Sequence, residues 1–390
     1  MEPGRLRVVV SSLGRFWAVD LALQLQARGS LTRLYTAHPW WRIEPELRAA
    51  TVTFPWLFGA TRVLARRLPR RALDELDFAS ITTFDRWTAA RLQPCDVFVH
   101  LSSVGRDSAV RARRLGARVV CDRGSTHIEV QDQILRDEHD RHGIRYRGID
   151  RRLIERELEE YERADAIAVP STFARRSFVA RGVAAAKVHM LPFGVDLSMF
   201  RRCPREDTRF RLIFVGAYSL RKGIGYLFEA ARPLVKRGLI ELWLVGNRTD
   251  ETQGLLRRNQ DLFVDHGPQN QRRLSWYFSQ ADALVLPSIE EGLAFVQAQA
   301  MACGVPVIAT TNTGAEDLFT DGVEGFIVPI RDVAALRERI EILLDDDSRR
   351  KSMAEAALRR VQTLGGWNEY GERALELYGA LAMETRREAQ

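Results

Sequence analysis

Along this chain, apolar residues gather in short continuous runs. Between the runs lie longer stretches in which apolar residues recur at helical spacing. In the first half the runs are RLRVVVSS, DVFVHL, ARVVCD and ADAIAVPS; in the second they are RLIFVGA, IELWLVG, DALVLPS and VPVIATT. Continuous β-branched runs suit strands buried on both faces, and each run leads into a helix-length segment. That pattern predicts βαβ units and parallel sheets. Two such series imply an α/β protein with two Rossmann-like, doubly wound domains facing a cleft. The break is expected in LPFGVDLSMFRRCPREDTRFRLIF, where Pro192, Gly194 and Pro204 interrupt regular structure. The expected division is a first domain over 1–195 and a second over 209–362. A closing helix over 363–390 carries Tyr370, Ala374, Leu377 and Leu381 on one face.

Length and charge sharpen the picture. At 390 residues the chain exceeds one ordinary core. Cys95, Cys121, Cys203 and Cys303 are scattered with no CxxC pair, which favours reduced thiols over disulfides or a zinc site. No apolar run reaches the length of a membrane span, and the N-terminus has no signal-peptide pattern, so a cytoplasmic location is expected. The positive charge is one-sided. Residues 1–200 hold 32 basic and 24 acidic side chains, residues 201–390 hold 26 and 27, so the net charges are +8 and −1. The first half is thus expected to meet something anionic. No RRM, zinc-finger or helix-turn-helix pattern accompanies the charge, so no specific nucleic-acid partner is expected. In segment 54–71 Trp56, Leu57 and Phe58 precede five arginines, with Val63, Leu64 and Leu68 interleaved among them and no acid. Such a stretch suits an anionic membrane surface as well as a core-packed helix with a solvated face.

In doubly wound sheets ligands collect where strands run into helices. The second half places Gly216 at one such strand end and Arg221–Lys222–Gly223 at a helix start. Two cations beside helix-start N–H groups form a diphosphate site, the plainer reading being a solvated basic turn. In PSIEEGLAFVQAQAMACG a turn over Glu290–Phe295 is expected to turn the N–H groups of Gly292, Leu293, Ala294 and Phe295 towards phosphate or sugar oxygens. Glu291 and Gln299 are two helical turns apart, so they are expected on one helical face about 12 Å apart along the axis. An acid at a helix start and a Gln bonded to backbone is the plainer alternative.

Taken in order, FVGAYSLRKG, LVG, DALVLPSIEEGLAFVQAQAMACGVPVIAT and GAEDLFTDGVEGFIVP resemble the donor half of family 4 glycosyltransferases of the GT-B fold. LPFGVDLSMF resembles that family's entry to the linker. GWNEYGERALELYGAL resembles the helix that crosses back onto its first domain. The likeness covers about residues 160–380 and is only architectural before that. It implies retaining transfer of a sugar from a nucleotide-diphosphate sugar, UDP- or GDP-linked, with no cofactor and no metal. It assigns Glu291 to the transferred sugar, and Gln299 to the ribose where the family has a second acid. Lys222 falls to the diphosphate, with Arg221 standing in for the arginine that Ala217 replaces. Gly14, Gly216, Gly246, Gly292, Leu293, Ala294, Phe295 and Gly267 are the further expected donor contacts. Ala294 replaces a family glycine. In the basic loop CDRGSTH, His127 is the candidate for holding the donor sugar or acceptor hydroxyl. Arg123, Ser125 and, less strongly, His100 are candidates for acceptor or sugar contact. The implied acceptor is a lipid-linked or cell-envelope glycan, with the protein peripheral on the inner membrane face. A non-catalytic GT-B scaffold with a degraded donor site is the alternative.

Overall fold

The computed structural model describes residues 5–54 and 70–388; the arginine-rich stretch 55–69, which holds most of the expected membrane segment, lies outside the described residues. Two all-parallel sheets form the frame. The first contains β1 (Val8–Ser12), β2 (Leu31–Thr36), β3 (Thr51–Thr53), β4 (Val97–Leu101), β5 (Arg118–Asp122), β6 (Ala166–Val169) and β7 (Val188–Met190), in the order β3-β2-β1-β4-β5-β6-β7. The second contains β8 (Arg211–Val215), β9 (Glu241–Val245), β10 (Val264–Asp265), β11 (Ala283–Leu286), β12 (Val307–Thr310) and β13 (Gly325–Val328), in the order β10-β9-β8-β11-β12-β13. Both orders reverse beside their first strand, so each sheet has a switch point at its carboxyl edge where loops diverge and leave a crevice. The eight apolar runs are all strands. Most of these strands are buried from end to end, as parallel strands covered on both faces must be.

Each sheet centres its own core, giving two lobes. The first core joins Val8–Val10, Val97–Val99 and Val119–Cys121 to Tyr370, Ala374, Tyr378 and Leu381 of the closing helix Trp367–Glu388. That helix therefore completes the first lobe although it follows the second in sequence. Its start is tied to the first helix of the chain, where Arg28 Nη2 donates to Asn368 O at 2.9 Å. The second core already takes in Val195 and Phe200. The linker is thus packed onto the second lobe well before β8, with Arg201 N donating to Ser275 Oγ and Cys203 N to Ser279 Oγ. The two chain crossings lie against one another, with Arg373 Nη2 donating to Pro192 O and the Phe193 ring beside Tyr370. A Cβ on Gly194 would lie 2.4 Å from the backbone of Gly366, so the outgoing and returning segments pass only because that position has no side chain. Among the described residues no helix is long and apolar enough to cross a membrane.

Candidate active site

The carboxyl ends of the two sheets face one another, and their loops meet in a charged seam. On the second lobe, β8 runs through Gly216 into the turn Arg221–Lys222–Gly223. Gly223 has φ +68°, and a Cβ there would sit 2.0 Å from Pro287 O; this left-handed residue lets the turn press against the loop after β11. The neighbouring rim is equally tight, since a Cβ on Gly246 would lie 1.8 Å from Gly216 O. Bare backbone from β8 and β9 thus floors the crevice beside Lys222.

The loop after β11 does not enter its helix at once. Glu291 N donates to Asn312 O (2.9 Å), Asn312 Nδ2 to Ile289 O (2.9 Å), and Ala294 N to Thr313 O (3.4 Å). These bonds hold residues 288–294 along the end of β12, and the helix begins only at Phe295. Two expectations change as a result. Glu291 stands four residues ahead of the helix, so it shares no helical face with Gln299. Of the amides expected to face a ligand, that of Ala294 is already bonded within the lobe. Gly292 is used differently too: a Cβ there would lie 2.0 Å from Gly124 O of the first lobe, and its carbonyl accepts from Ser171 Oγ at 2.5 Å. Here the two lobes touch backbone to backbone.

Four charged side chains gather at this contact. Lys222 Nζ lies 2.6 Å from Glu291 Oε1, Arg221 Nη2 lies 3.5 Å from Glu291 Oε2, and Arg221 Nε donates to Glu290 Oε2 at 2.9 Å. Glu290, fully buried, also accepts from three groups of the first lobe: Ser125 Oγ (2.5 Å), Thr126 Oγ1 (2.8 Å) and Gln131 Nε2 (3.0 Å). Burial alone would raise its pKa. Arg221 and the three hydrogen bonds reverse that and bring it down to about 2. The sequence points to Glu291 through its place in the motif and carries no signal for Glu290, whose partners Ser125, Thr126 and Gln131 lie across the cleft in a distant segment. Further contacts close the same seam. Glu138 accepts from Tyr226 Oη and Arg331 Nε, both at 2.7 Å, and Asp317 accepts from Thr172 N and Oγ1.

Beside the seam lies a cavity of about 400 Å³, walled mainly by the first lobe, with Arg221 as the contribution of the second. Arg123 and Ser125 reach it as expected from the loop after β5. The two histidines do not. His127 caps the helix Ile128–Arg141, accepting from Glu129 N, and its ring packs at 5.1 Å from both Tyr161 and Phe178. His100 is fully buried, with Nδ1 3.1 Å from Leu101 O and its ring pressed so close to Gly105 that a Cβ there would clash at 2.0 Å. Burial pushes both imidazoles down to about 4, which suits packed neutral rings. Gly14 lies in the turn after β1, its carbonyl bonded by Ser12 Oγ, and Gly267 N donates to Asp265 Oδ1 at the far rim. Gln299 is nearly buried in the middle of the helix Phe295–Ala302, and no hydrogen bond among the described residues engages its amide; the neighbouring Gln297 instead donates to Thr313 O.

Three non-glycine residues among those described have positive φ: Phe16 (32°), Ser103 (76°) and Arg331 (65°). Two of them, Phe16 and Ser103, line the cavity. Ser103 is held in that conformation by the helix Arg151–Arg163. Its N–H donates to Glu160 (2.7 Å), its hydroxyl to Glu157 (2.5 Å), and its carbonyl accepts from Arg156 (2.6 Å). Strained backbone fixed this firmly marks a preorganised wall.

Residues 209–346 match the family model described as Glycosyl transferases group 1. The D-inositol 3-phosphate glycosyltransferase 1 of Catenulispora acidiphila is 31% identical over 221 residues, covering 50% of this chain and 52% of that protein. The capsular polysaccharide biosynthesis glycosyltransferase CapM of Staphylococcus aureus is 30% identical over 162 residues, 40% of this chain and 42% of its own. The chain spans about half the length of the curated relatives it matches. Sucrose-phosphate synthase of Thermosynechococcus elongatus superposes with a TM-score of 0.73 at 21% identity, covering 97% of this chain and 99% of that one. The chain has the GT-B fold, and its residues 209–346 are similar to the group 1 glycosyl transferases. The HepE protein of Anabaena, in complex with UDP, shares the GT-B fold at a TM-score of 0.70 and 14% identity, over 96% of this chain and all of that one.

Two predictions follow from the seam of this GT-B chain. Glu290→Ala leaves three first-lobe donors without their acceptor and Arg221 with only the longer of its carboxylate contacts, to Glu291. Leaving buried donors unpaired costs about 1–3 kcal/mol each, so the lobes are expected to part, with a larger radius of gyration by small-angle scattering; an unchanged radius refutes the role of Glu290 in holding them together. Asp122, which accepts from Trp17 Nε1 at 2.8 Å, is pushed by burial from 3.8 up to about 7. The folded chain therefore keeps a proton between pH 4 and 7 that the unfolded chain has released. Stability from this group is full below about pH 4 and is lost as pH rises through 7. Asp122→Asn is expected to flatten the fall of Tm between pH 4 and 7 relative to the parent; parallel curves refute it.

Proposed function

We propose that the chain transfers a sugar, with retention, from a nucleotide-diphosphate sugar to a hydroxyl acceptor, a lipid-linked or cell-envelope glycan. The reading rests on one observation: Lys222 and Arg221, at a strand-to-helix turn over bare glycine backbone, face Glu291 and Glu290, and Arg221 also lines the cavity. In this arrangement the cations are neutralised by carboxylates. A diphosphate competes with Glu291 for Lys222, and in doing so releases Glu291 to accept hydrogen bonds from the hydroxyls of the transferred sugar. Cation and acid thus exchange partners on donor binding, and no unpaired charge is left in the crevice.

As the bond from the sugar to the diphosphate breaks, negative charge grows on the leaving phosphate oxygen. Lys222 stabilises that charge more than it does the ground state. The acceptor oxygen bonds to the same face of the sugar, and its proton passes to the departing phosphate. Gln299, with its amide uncommitted, is the group for the ribose. A neutral acceptor there makes a weaker bond than a carboxylate would. UDP- and GDP-sugars are the favoured donors, and the complex of HepE with UDP makes the uridine nucleotide the first to test.

Peripheral membrane attachment belongs to the same reading. On the first-lobe rim Phe16, Trp40 and Trp41 are 62%, 54% and 69% exposed. The Arg15–Glu44 ion pair at 2.7 Å ties their two loops together, and Arg48 lies over the Trp40 ring at 5.0 Å. Exposed aromatics among arginines suit a headgroup boundary.

Thermal shift against UDP, GDP and ADP and their sugars tests donor binding, which at a hundredfold excess over Kd adds about 2.7 kcal/mol. No shift with any of them removes the proposal. Lys222→Ala is expected to lower kcat at least about tenfold, near 1.4 kcal/mol of barrier; normal turnover would take the diphosphate away from this turn. For the membrane, flotation with anionic vesicles at low salt is expected to carry the parent protein, and Trp40→Ala/Trp41→Ala to stay behind. Absence of the parent from the floated fraction ends that part.

A further inference from the structure

The acceptor wall of the cavity has an unusual balance. Leu13, Phe16, Trp17, Ile81, Leu101 and Val104 supply apolar surface. Trp17 has already given its N–H to buried Asp122, so only ring carbon is left to face the cavity. Its two cations are both committed. Arg123 donates to Thr126 O (3.1 Å), Ser102 Oγ (3.2 Å), Gln131 Oε1 (2.7 Å) and Glu157 Oε1 (3.0 Å). Arg221 is bound to Glu290 at 2.9 Å. Among the described residues, every cation lining the cavity thus has a carboxylate within 3.0 Å.

Among the described residues, an entering phosphate would lose its water and find no cation it could take. The carboxylates on Arg123 and Arg221 are each held by further hydrogen bonds, unlike Glu291 on Lys222. An aryl or alkyl group would instead find Phe16, Trp17 and Ile81. Hydroxyls have their own partners in the Ser102, Ser103 and Ser125 rim. We propose that this cavity selects an uncharged amphipathic acceptor, a glycoside or polyol carrying an aromatic or alkyl group, over a phosphorylated one. Phe16 sets the preference: it is exposed at the lip and held there at a positive φ. The proposal rests on the transfer reaction above and names its acceptor class.

The test is equilibrium binding by calorimetry of p-nitrophenyl β-glucoside, octyl β-glucoside below its micellar concentration, and glucose 6-phosphate. The same preparations are checked for the nucleotide thermal shift. The aryl and alkyl glucosides are expected to bind at least tenfold tighter than glucose 6-phosphate. Phe16→Ala is expected to weaken them fivefold or more. Ile81→Lys, which adds a cation without a partner, is expected to narrow the ratio. With the nucleotide shift intact, equal or tighter binding of glucose 6-phosphate, binding of none of the three, or indifference to Phe16→Ala overturns the proposal alone. Loss of the nucleotide shift in the parent overturns the transfer reading itself.

Discussion

A buried carboxylate is stable only where charge and hydrogen bonds surround it, and Glu290 obtains both only when the lobes are together. Its cation, Arg221, comes from its own lobe; its hydroxyl and amide donors, Ser125, Thr126 and Gln131, come from the other. Around it the seam has no room for side chains, since Gly292 meets the Gly124 carbonyl directly. The relative position of the two crevices, and with it the place of the cavity, therefore draws on this ion and the glycines that let it approach, with the Glu138 and Asp317 contacts closing the seam beside it. The cations proposed to meet a diphosphate sit in the same network, so donor binding and lobe contact draw on shared partners.

The first lobe contributes stiffness. Buried charges on the helix Arg151–Arg163 point into the loop after β4: Arg156 pairs with Asp85 and also bonds Ser103, while Glu157 holds Ser103 and Arg123 together. Such a network is costly unless each member is satisfied, and when satisfied it fixes one geometry. It also commits the cationic side chains that a first reading of a basic half would assign to an anionic partner. The excess charge of that half and the neutral walls of its cavity are thus compatible. Exposed arginines set the outer field, and paired ones set the interior.

The sequence by itself determined the strands and their order of appearance, because burial on both faces demands continuous apolar runs that nothing else in a polar chain resembles. It also determined the turn Arg221–Lys222–Gly223 and the four-part likeness of residues 160–380, since those features are local. It did not reveal the outer strands β2, β3, β7, β10 and β13. LTRLYT in β2 is half polar, and β3, β7 and β10 have two or three residues each, too short to show a period. The tertiary structure decided which polar residues are partners. Glu290 and Glu291 are neighbours of the same type, yet one turns to the opposite lobe and the other to Lys222. His127 and Ser125 share a loop, yet one packs between aromatic rings and the other reaches the cleft. Those outcomes depend on groups up to 165 positions away, and a hydrogen bond between distant segments leaves no spacing in a chain for a reader to find.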